Sequence, residues 1–449
     1  MFTLSTNSLH EVASVLNTTP PEKDGFFAHV STDTRTLSDN DLFVALKGPN
    51  FDGHDHLQQA FDKGAIAAVV SNENKNIALI QFKVDDTRLA LGQLAKAKRQ
   101  AFNGKVVGVT GSNGKTTVKE LTTAILSVNG DVLSTLGNLN NDIGLPLTLL
   151  RLSNNEDFAV IEMGANHHGE IDYLTHIALP DVAVITNAGE AHLEGFGDVA
   201  GVAKAKGEIY SGLSSTGVAI VNADDDYADY WRSEIKNDNL LSFGLSESAD
   251  VRATNIVQKE MSCEFDLQVS GKSISVSLPL LGLHNVRNAL AAAAISHALE
   301  CDNVQIKSGL ENSHAVKGRL TILKGHNQSV IIDDTYNANP NSVKAGIDVL
   351  KEKSGENILV LGDLLEMGAN ASEMMKNLGE YAAQNGIHEL LAYGEISEHA
   401  VVGFSGNGTF YKNKSELINF LRNKLNANTN VLIKGSRGMR MEEVVQALL

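Results

Sequence analysis

The run Thr110-Gly111-Ser112-Asn113-Gly114-Lys115-Thr116-Thr117 is the segment of this chain best suited to chemistry. It follows the apolar stretch Lys105–Thr110 and leads into a helical pattern that begins near Lys115. A strand, a Gly-rich turn and a helix N-terminus present backbone N–H groups and a positive dipole end to phosphate oxygens. Gly111, Ser112, Asn113 and Gly114 form the turn. Lys115 can bridge β- and γ-phosphates, and Thr116, followed by Thr117, offers a hydroxyl suited to Mg²⁺. The turn is shorter than the G-x-x-x-x-G-K-[ST] loop, because Val109 stands at its first glycine position. ATP and Mg²⁺ are the expected cofactors. A guanine-nucleotide switch would need an Asn-Lys-x-Asp run, and the nearest segment, Asn413-Lys414-Ser415-Glu416, lacks the aspartate.

Two further residues belong with this loop. Glu162 ends the apolar strand Phe158-Ala159-Val160-Ile161, where a nucleotide-binding sheet places a Mg²⁺-associated carboxylate. His192 closes the segment Asn187-Ala188-Gly189-Glu190-Ala191-His192 after the next strand, at the same edge of the sheet. A loop histidine by itself is more often solvated than functional; beside a candidate metal site it becomes a candidate ligand.

The elements that must position these residues form three α/β units. The first is expected over 1–82. It opens with a helix marked by the Ser8/Glu11 capping pair and by Leu9, Val12, Ala13 and Leu16 at helical spacing. Leu89–Phe102 reads as a connecting helix. A middle unit over 83–314 carries continuous apolar strands spaced by helices, the pattern of a mostly parallel sheet covered on both faces. Within it, Ala249–Leu281 alternates and predicts an antiparallel appendage, and the alanine-rich Asn288–Leu299 predicts a buried helix. A third, Rossmann-like series over 315–449 has strands at Ser329–Ile332, Ile358–Leu361, Glu389–Ala392 and Asn430–Ile433.

The chain has 449 residues and a net charge of −17. That acidity argues against bulk binding to nucleic acid or anionic membrane, while allowing a local basic pocket. No apolar run approaches the ~20 residues needed to span a bilayer, and the N-terminus lacks the pattern of a signal peptide. Two cysteines cannot make a disulfide framework or a four-cysteine zinc site. A cytoplasmic, soluble protein is expected, and a monomer.

The short phosphate loop, Glu162, His192 and Ala203-Lys204-Ala205-Lys206-Gly207-Glu208 together resemble the Mur ligases, the ATP-dependent amide-forming enzymes of peptidoglycan synthesis. Gly282-Leu283-His284-Asn285-Val286-Arg287-Asn288-Ala289 is similar to that family's adenine-contacting segment, implying nucleotide contacts at Asn285 and Asn288. Lys317-Gly318-Arg319 and Asp333-Asp334-Thr335-Tyr336-Asn337-Ala338-Asn339-Pro340 resemble its third-domain contacts. They imply Arg319 at the γ-phosphate and Asp334 at the ribose. The resemblance makes the first unit a UDP-sugar domain, with Ser31, Asp33, Arg35 and Lys47 toward the sugar nucleotide. It makes the middle unit the ATP-binding domain and the third unit the amine-binding domain.

Leu361-Gly362-Asp363-Leu364-Leu365-Glu366-Met367-Gly368 and Gly137-Asn138-Leu139-Asn140-Asn141-Asp142-Ile143-Gly144 resemble runs of the members that add D-alanyl-D-alanine to UDP-N-acetylmuramoyl-tripeptide through an acyl phosphate. The resemblance implies Asn138, Asn141 and Asp363 at substrate. The Asp-Asn-Pro run common in the member that adds the third amino acid is missing.

The resemblance also implies a CO₂-modified lysine at Lys206. A free lysine there would repel a Mg²⁺ held near Thr116, Glu162 and His192, whereas a carbamate supplies hard oxygen ligands. Lys115, His192, Lys206 and Arg319 are the expected catalytic set. Two alternatives stay open at this point. One is another Mur ligase, or a folylpolyglutamate-synthase-like ligase without a dedicated sugar domain, using a different amine donor. The other is a non-catalytic nucleotide-binding protein.

Overall fold

The computed structural model describes residues 3–153, 155–236 and 238–449. Residues 1 and 2, where the first unit was expected to begin, lie outside them. Ser8 Oγ accepts from the Glu11 N–H at 3.1 Å and a Glu11 carboxylate oxygen accepts from the Ser8 N–H at 3.4 Å. The helix Leu9–Leu16 that follows buries Leu9, Val12, Ala13 and Leu16, as its spacing predicts. The first sheet orders its strands Val30–Ser31, Leu42–Val44, Ala67–Val70 and Ile80–Lys83, all parallel. A sheet thus precedes the phosphate loop, where the folylpolyglutamate-type alternative expects no such domain.

The middle sheet has nine strands. Lys105–Thr110 lies between Phe158–Glu162 on one side and Val182–Ile185 on the other. Val132–Ser134 forms the outer edge, and Val218–Asn222 and Leu240–Gly244 continue the parallel run. The appendage is Val251–Gln258, Cys263–Val269 and Lys272–Leu278, paired antiparallel to one another. Successive connections leave Lys105–Thr110 toward opposite edges, which opens a crevice at its C-terminal end. The phosphate loop sits there. Behind it, the helix Leu283–Ala298 buries its alanine run against the helix Lys115–Leu126.

The third sheet orders Thr321–Lys324, Val330–Asp334, Thr429–Lys434, Glu356–Gly362, Glu389–Tyr393 and Asn407–Tyr411, antiparallel only at its first pair. Both edge strands go beyond the sequence reading. Thr321–Lys324 is only partly buried and Asn407–Tyr411 is half exposed, so neither carries the continuous apolar signature of a covered parallel strand.

The two joints between units differ in kind. The helix Thr87–Ala101 packs against Leu9–Leu16 of the first unit and against Gly144–Leu149 and Glu170–Ala178 of the middle unit. One hydrophobic cluster runs from Leu4 and Leu9 through Leu91 and Leu94 to Ile171 and Leu174. Each such buried side chain contributes about 1.5–3 kcal/mol. The third unit packs clusters on the two faces of its sheet, one of which takes in Leu281 of the middle unit, and its other contacts with that unit include polar pairs worth about 0–1 kcal/mol each. The second joint is therefore the one that opens at least cost. Among the described residues, no helix is long and apolar enough to cross a membrane.

Candidate active site

Gly111 and Gly114 shape the phosphate loop. Gly111 has φ of 146°, and a Cβ there would stand 1.9 Å from Thr186 Oγ1. Gly114, at φ of 81°, is the N-cap of the helix Lys115–Leu126, and its Cβ would fall 2.3 Å from Asn288 Oδ1. Only glycine fits either position. Lys115 Nζ donates to the carbonyl oxygens of Gly111 at 2.7 Å and Ser112 at 3.3 Å, so it is folded back on its own loop.

Two cavities meet at this loop. The larger, about 1290 Å³, is lined by Ser112, Asn113, Gly114 and Lys115, by Glu162 and His192, and by Asn138 and Asn141. The third unit closes it with Arg319, Glu366 and Arg437. The smaller, about 730 Å³, lies on the other side and contains Thr117, Asn285, Asn288, Asp334 and Lys434. Asn113, Gly114 and Arg319 line both.

Glu162 is buried at the end of its strand. One carboxylate oxygen accepts from Asn140 Nδ2 at 2.8 Å, and the other is buried without a hydrogen-bond partner. An unpaired buried carboxylate oxygen costs stability unless something occupies it in function. Arg319 shows the complementary feature. Its Nη2 donates to Thr116 Oγ1 at 3.3 Å, its guanidinium lies 4.2 Å from the centre of the Tyr336 ring, and its buried Nε lacks a partner. An anionic oxygen would satisfy that Nε.

Lys206 and Lys204 face opposite ways, as i and i+2 on a helix must: Lys206 is buried, Lys204 exposed. Lys206 Nζ lies 5.5 Å from the centre of the Phe196 ring. Burial, and then the Lys115 charge, pushes its amine down to about 7. The Glu208 carboxylate accepts instead from the Gly169 and Asp172 N–H groups, at the start of the helix Glu170–Ala178. Burial lowers Lys115 too, with Arg319 adding to the effect and Glu162 opposing it. His192 is lowered chiefly by burial and then by Lys115. Lys115, His192 and Arg319 line the larger cavity, while Lys206, buried against Phe196, lines neither.

Other expected residues sit differently. Asn141 lines the larger cavity, but its Oδ1 accepts from the Gly144 N–H at 2.9 Å and caps a helix. Asp334 lies in the smaller cavity with one oxygen committed to the buried Lys434 at 2.6 Å. Ser31, Asp33, Arg35 and Lys47 line neither cavity. Arg35 pairs with Asp33 at 2.7 Å, which holds the Asp33 carboxyl down at about 2, and Lys47 lies 3.4 Å from Asp52.

Asp363, expected at substrate, lines neither cavity; it is buried, and its two oxygens accept from the N–H groups of Glu395, Ile396 and Ser397 at 2.7–3.0 Å. A carboxylate already accepting three backbone donors is a structural anchor.

The sequence motifs contain Asn140, Asn339 and Glu366 but assign them no role, and Lys434 lies outside all of them. Lys434, ending the apolar strand Thr429–Lys434, carried the same strand-end signal as Glu162. Asn339 Nδ2 donates to Asn113 Oδ1 at 2.8 Å, and Glu366 lies 2.5 Å from His192 Nδ1. Those two contacts cross between units and leave no local trace.

Comparison with known proteins agrees across the chain. Models described as Mur ligase family, catalytic domain, as Mur ligase middle domain, and as Mur ligase, glutamate ligase domain match residues 27–99, 109–296 and 318–437. The UDP-N-acetylmuramoyl-tripeptide--D-alanyl-D-alanine ligase of Escherichia coli (strain K12) is 46% identical over 98% of this chain and 98% of its own length. A crystal structure of MurF from Acinetobacter baumannii superposes with a TM-score of 0.92 at 37% identity, covering 98% of this chain and 97% of that one. A MurF ligase from Thermotoga maritima in complex with ADP gives 0.85 at 30% identity, covering 93% and 96%.

Proposed function

Because this chain belongs to the Mur ligase family, we propose that it joins D-alanyl-D-alanine to UDP-N-acetylmuramoyl-tripeptide at the expense of ATP, in peptidoglycan precursor synthesis. The observation that carries the reading is the meeting of two cavities at one phosphate loop. The smaller has the amides of Asn285 and Asn288 and the carboxylate of Asp334 for a nucleoside. The larger has room for a peptide carboxylate and an incoming amine.

A carboxylate is a poor electrophile for an amine at neutral pH. Moving the γ-phosphoryl group of ATP onto the tripeptide carboxylate gives an acyl phosphate; the amine attacks its carbonyl carbon and phosphate leaves. The first step crowds anionic oxygens. Lys115 swings from its own loop carbonyls onto the β- and γ-phosphates, and Arg319 offers its unpaired Nε to the transferred group. Asn140 holds Glu162 in place.

The site fits Mg²⁺ in the way that ion is usually held. Among the described residues no three His, Cys, Asp or Glu side chains gather as a metal cage. Mg²⁺ takes one or two carboxylates and fills its shell with phosphate and water. The free oxygen of Glu162 and the Thr116 hydroxyl would hold it. His192 would contribute through Nε2, and Lys206 as a carbamate, which requires the neutral amine that its burial favours. The ion supplies charge neutralisation between the phosphates and the acceptor carboxylate.

We assign 1–82 to the sugar nucleotide, 83–314 to ATP and 315–449 to the amine. A phosphate-release assay with ATP, Mg²⁺, D-alanyl-D-alanine and UDP-N-acetylmuramoyl-tripeptide tests the reading, with diaminopimelate and lysine tripeptides in parallel. Release dependent on both peptide substrates is expected. Nucleotide binding without any release would make the chain a binding protein.

A further inference from the structure

The amine substrate is a zwitterion, and the wall of the larger cavity includes Arg437, a cation to which the phosphate chemistry gives no role. Arg437 belongs to the loop after the strand Thr429–Lys434, and its side chain is 65% exposed on the cleft wall. Its Nη1 contacts Glu442 Oε1 at 3.1 Å, and its backbone N–H donates to Asn337 Oδ1 at 3.3 Å. Glu442 is thus anchored on one oxygen while the other is buried without a partner. One edge of the guanidinium is held and the rest of its donor fork is free.

This loop is bound to the one bearing Glu366. The Leu365 N–H donates to Ser436 Oγ at 2.8 Å, and the Ser436 N–H donates to the Asp363 carbonyl at 3.0 Å. Glu366 itself has φ of 62°, left-handed backbone in a non-glycine residue at a cleft, a form of strain that the surrounding structure must hold in place. Glu366 reaches His192 at the reacting end, and Arg437 stands on the neighbouring loop. Lys115 and Arg319 are committed to the phosphate loop, Arg88 is paired with Asp142 on the first unit's side, and Lys317, the other cation on this wall, stands two residues before Arg319, on a different loop from Glu366 and Ser436.

We propose that Arg437, oriented by Glu442, is the receptor for the terminal carboxylate of the incoming dipeptide, with the Glu366 side of the same paired loops facing its amino end. The assignment rests on the ligase reading above. A dipeptide spans roughly 7 Å from amine to carboxylate. Arg437 binds that carboxylate through its open N–H fork, a charge-assisted contact that fixes direction as well as position. A single amino acid places its amine and carboxylate a full residue closer together, so the assignment implies selection for length.

The test compares D-alanyl-D-alanine with D-alanyl-D-alaninamide, which keeps the amine and lacks the carboxylate charge. The parent enzyme should favour the acid by about 10- to 100-fold in kcat/KM. In Arg437→Ala the acid should fall by that factor while the amide is unchanged, so the preference disappears; Arg437→Lys should recover part of it. Melting temperature and nucleotide binding control for folding, which an exposed side chain leaves intact. A variant that keeps the parent's preference, or that loses both substrates equally, overturns the assignment. If the parent makes no product with D-alanyl-D-alanine, the ligase reading itself falls and takes the subsite with it.

Discussion

His192 Nδ1 and a carboxylate oxygen of Glu366 lie 2.5 Å apart, although 174 residues separate them. With Asn339 on Asn113 and Arg319 on Thr116, this contact draws the third unit onto the phosphate loop. All three are polar, and Leu281 is the middle-unit side chain that joins the apolar cluster of the third unit at this joint. Removing two of them, as Glu366→Ala with Asn339→Ala, should cost about 1–2 kcal/mol of closure and raise the open population roughly tenfold. Small-angle scattering of the nucleotide-free double variant should show a larger radius than the parent, reduced again by ATP with the sugar substrate. The same radius in both proteins would mean that other contacts hold the joint.

Lys115→Ala should slow phosphoryl transfer by at least about 10³-fold, because the cation that offsets the γ-phosphate is gone. The fold should survive, since Lys115 Nζ bonds only to carbonyls of its own loop. Single-turnover phosphate release, read beside a thermal melt, separates the two effects. Near-normal turnover in the folded variant would refute the assigned role.

Lys206→Ala should be nearly inactive and partly rescued by acetate or formate, small carboxylates that can stand in for a carbamate. Lys204→Ala, on the exposed face, should stay active and indifferent to either. Turnover titrated against added carboxylate makes the comparison. Equal activity of both variants and the parent would remove Lys206 from the metal site.

Asp363→Ala should act on stability. It strips one carboxylate from three backbone donors at Glu395, Ile396 and Ser397 and should cost about 1–3 kcal/mol. Denaturant unfolding measures this directly. Unchanged stability, with a raised KM for either peptide substrate, would return the residue to the substrate.

Acid stability should carry the mark of His284. Burial, followed by the charges of Lys434 and Arg287, pushes this imidazole down to about 4. The unfolded chain takes up the proton near 6.5, so between those values the unfolded state binds more protons and stability falls as pH drops. His284→Gln should flatten the stability profile between pH 6.5 and 4 and leave it unchanged at pH 8. A profile as steep as the parent's would place the proton uptake elsewhere.

Much of this molecule is written locally. The phosphate loop is legible because a strand, glycines that alone fit its turn and a lysine at a helix N-terminus are consecutive residues. The Ser8/Glu11 cap, the antiparallel hairpins after Ala249 and the alanine helix behind the loop are legible for the same reason: backbone preference and apolar spacing act over a few residues. The edge strands Thr321–Lys324 and Asn407–Tyr411 were not, because half-exposed strands lack the continuous apolar run.

The site as a site was decided only in three dimensions. Types and positions marked Glu162, His192, Lys206 and Arg319, but not the Asn140 amide that holds Glu162 or the Lys434 amine on Asp334. Asp363 and Glu366 lie three residues apart on one loop, yet one anchors that loop from beneath and the other reaches His192 across the cleft. Each outcome depends on which loops the crossing connections bring to the C-terminal edges of two separate sheets. Backbone preference ends within a few residues; the pairing of distant charges is set by packing.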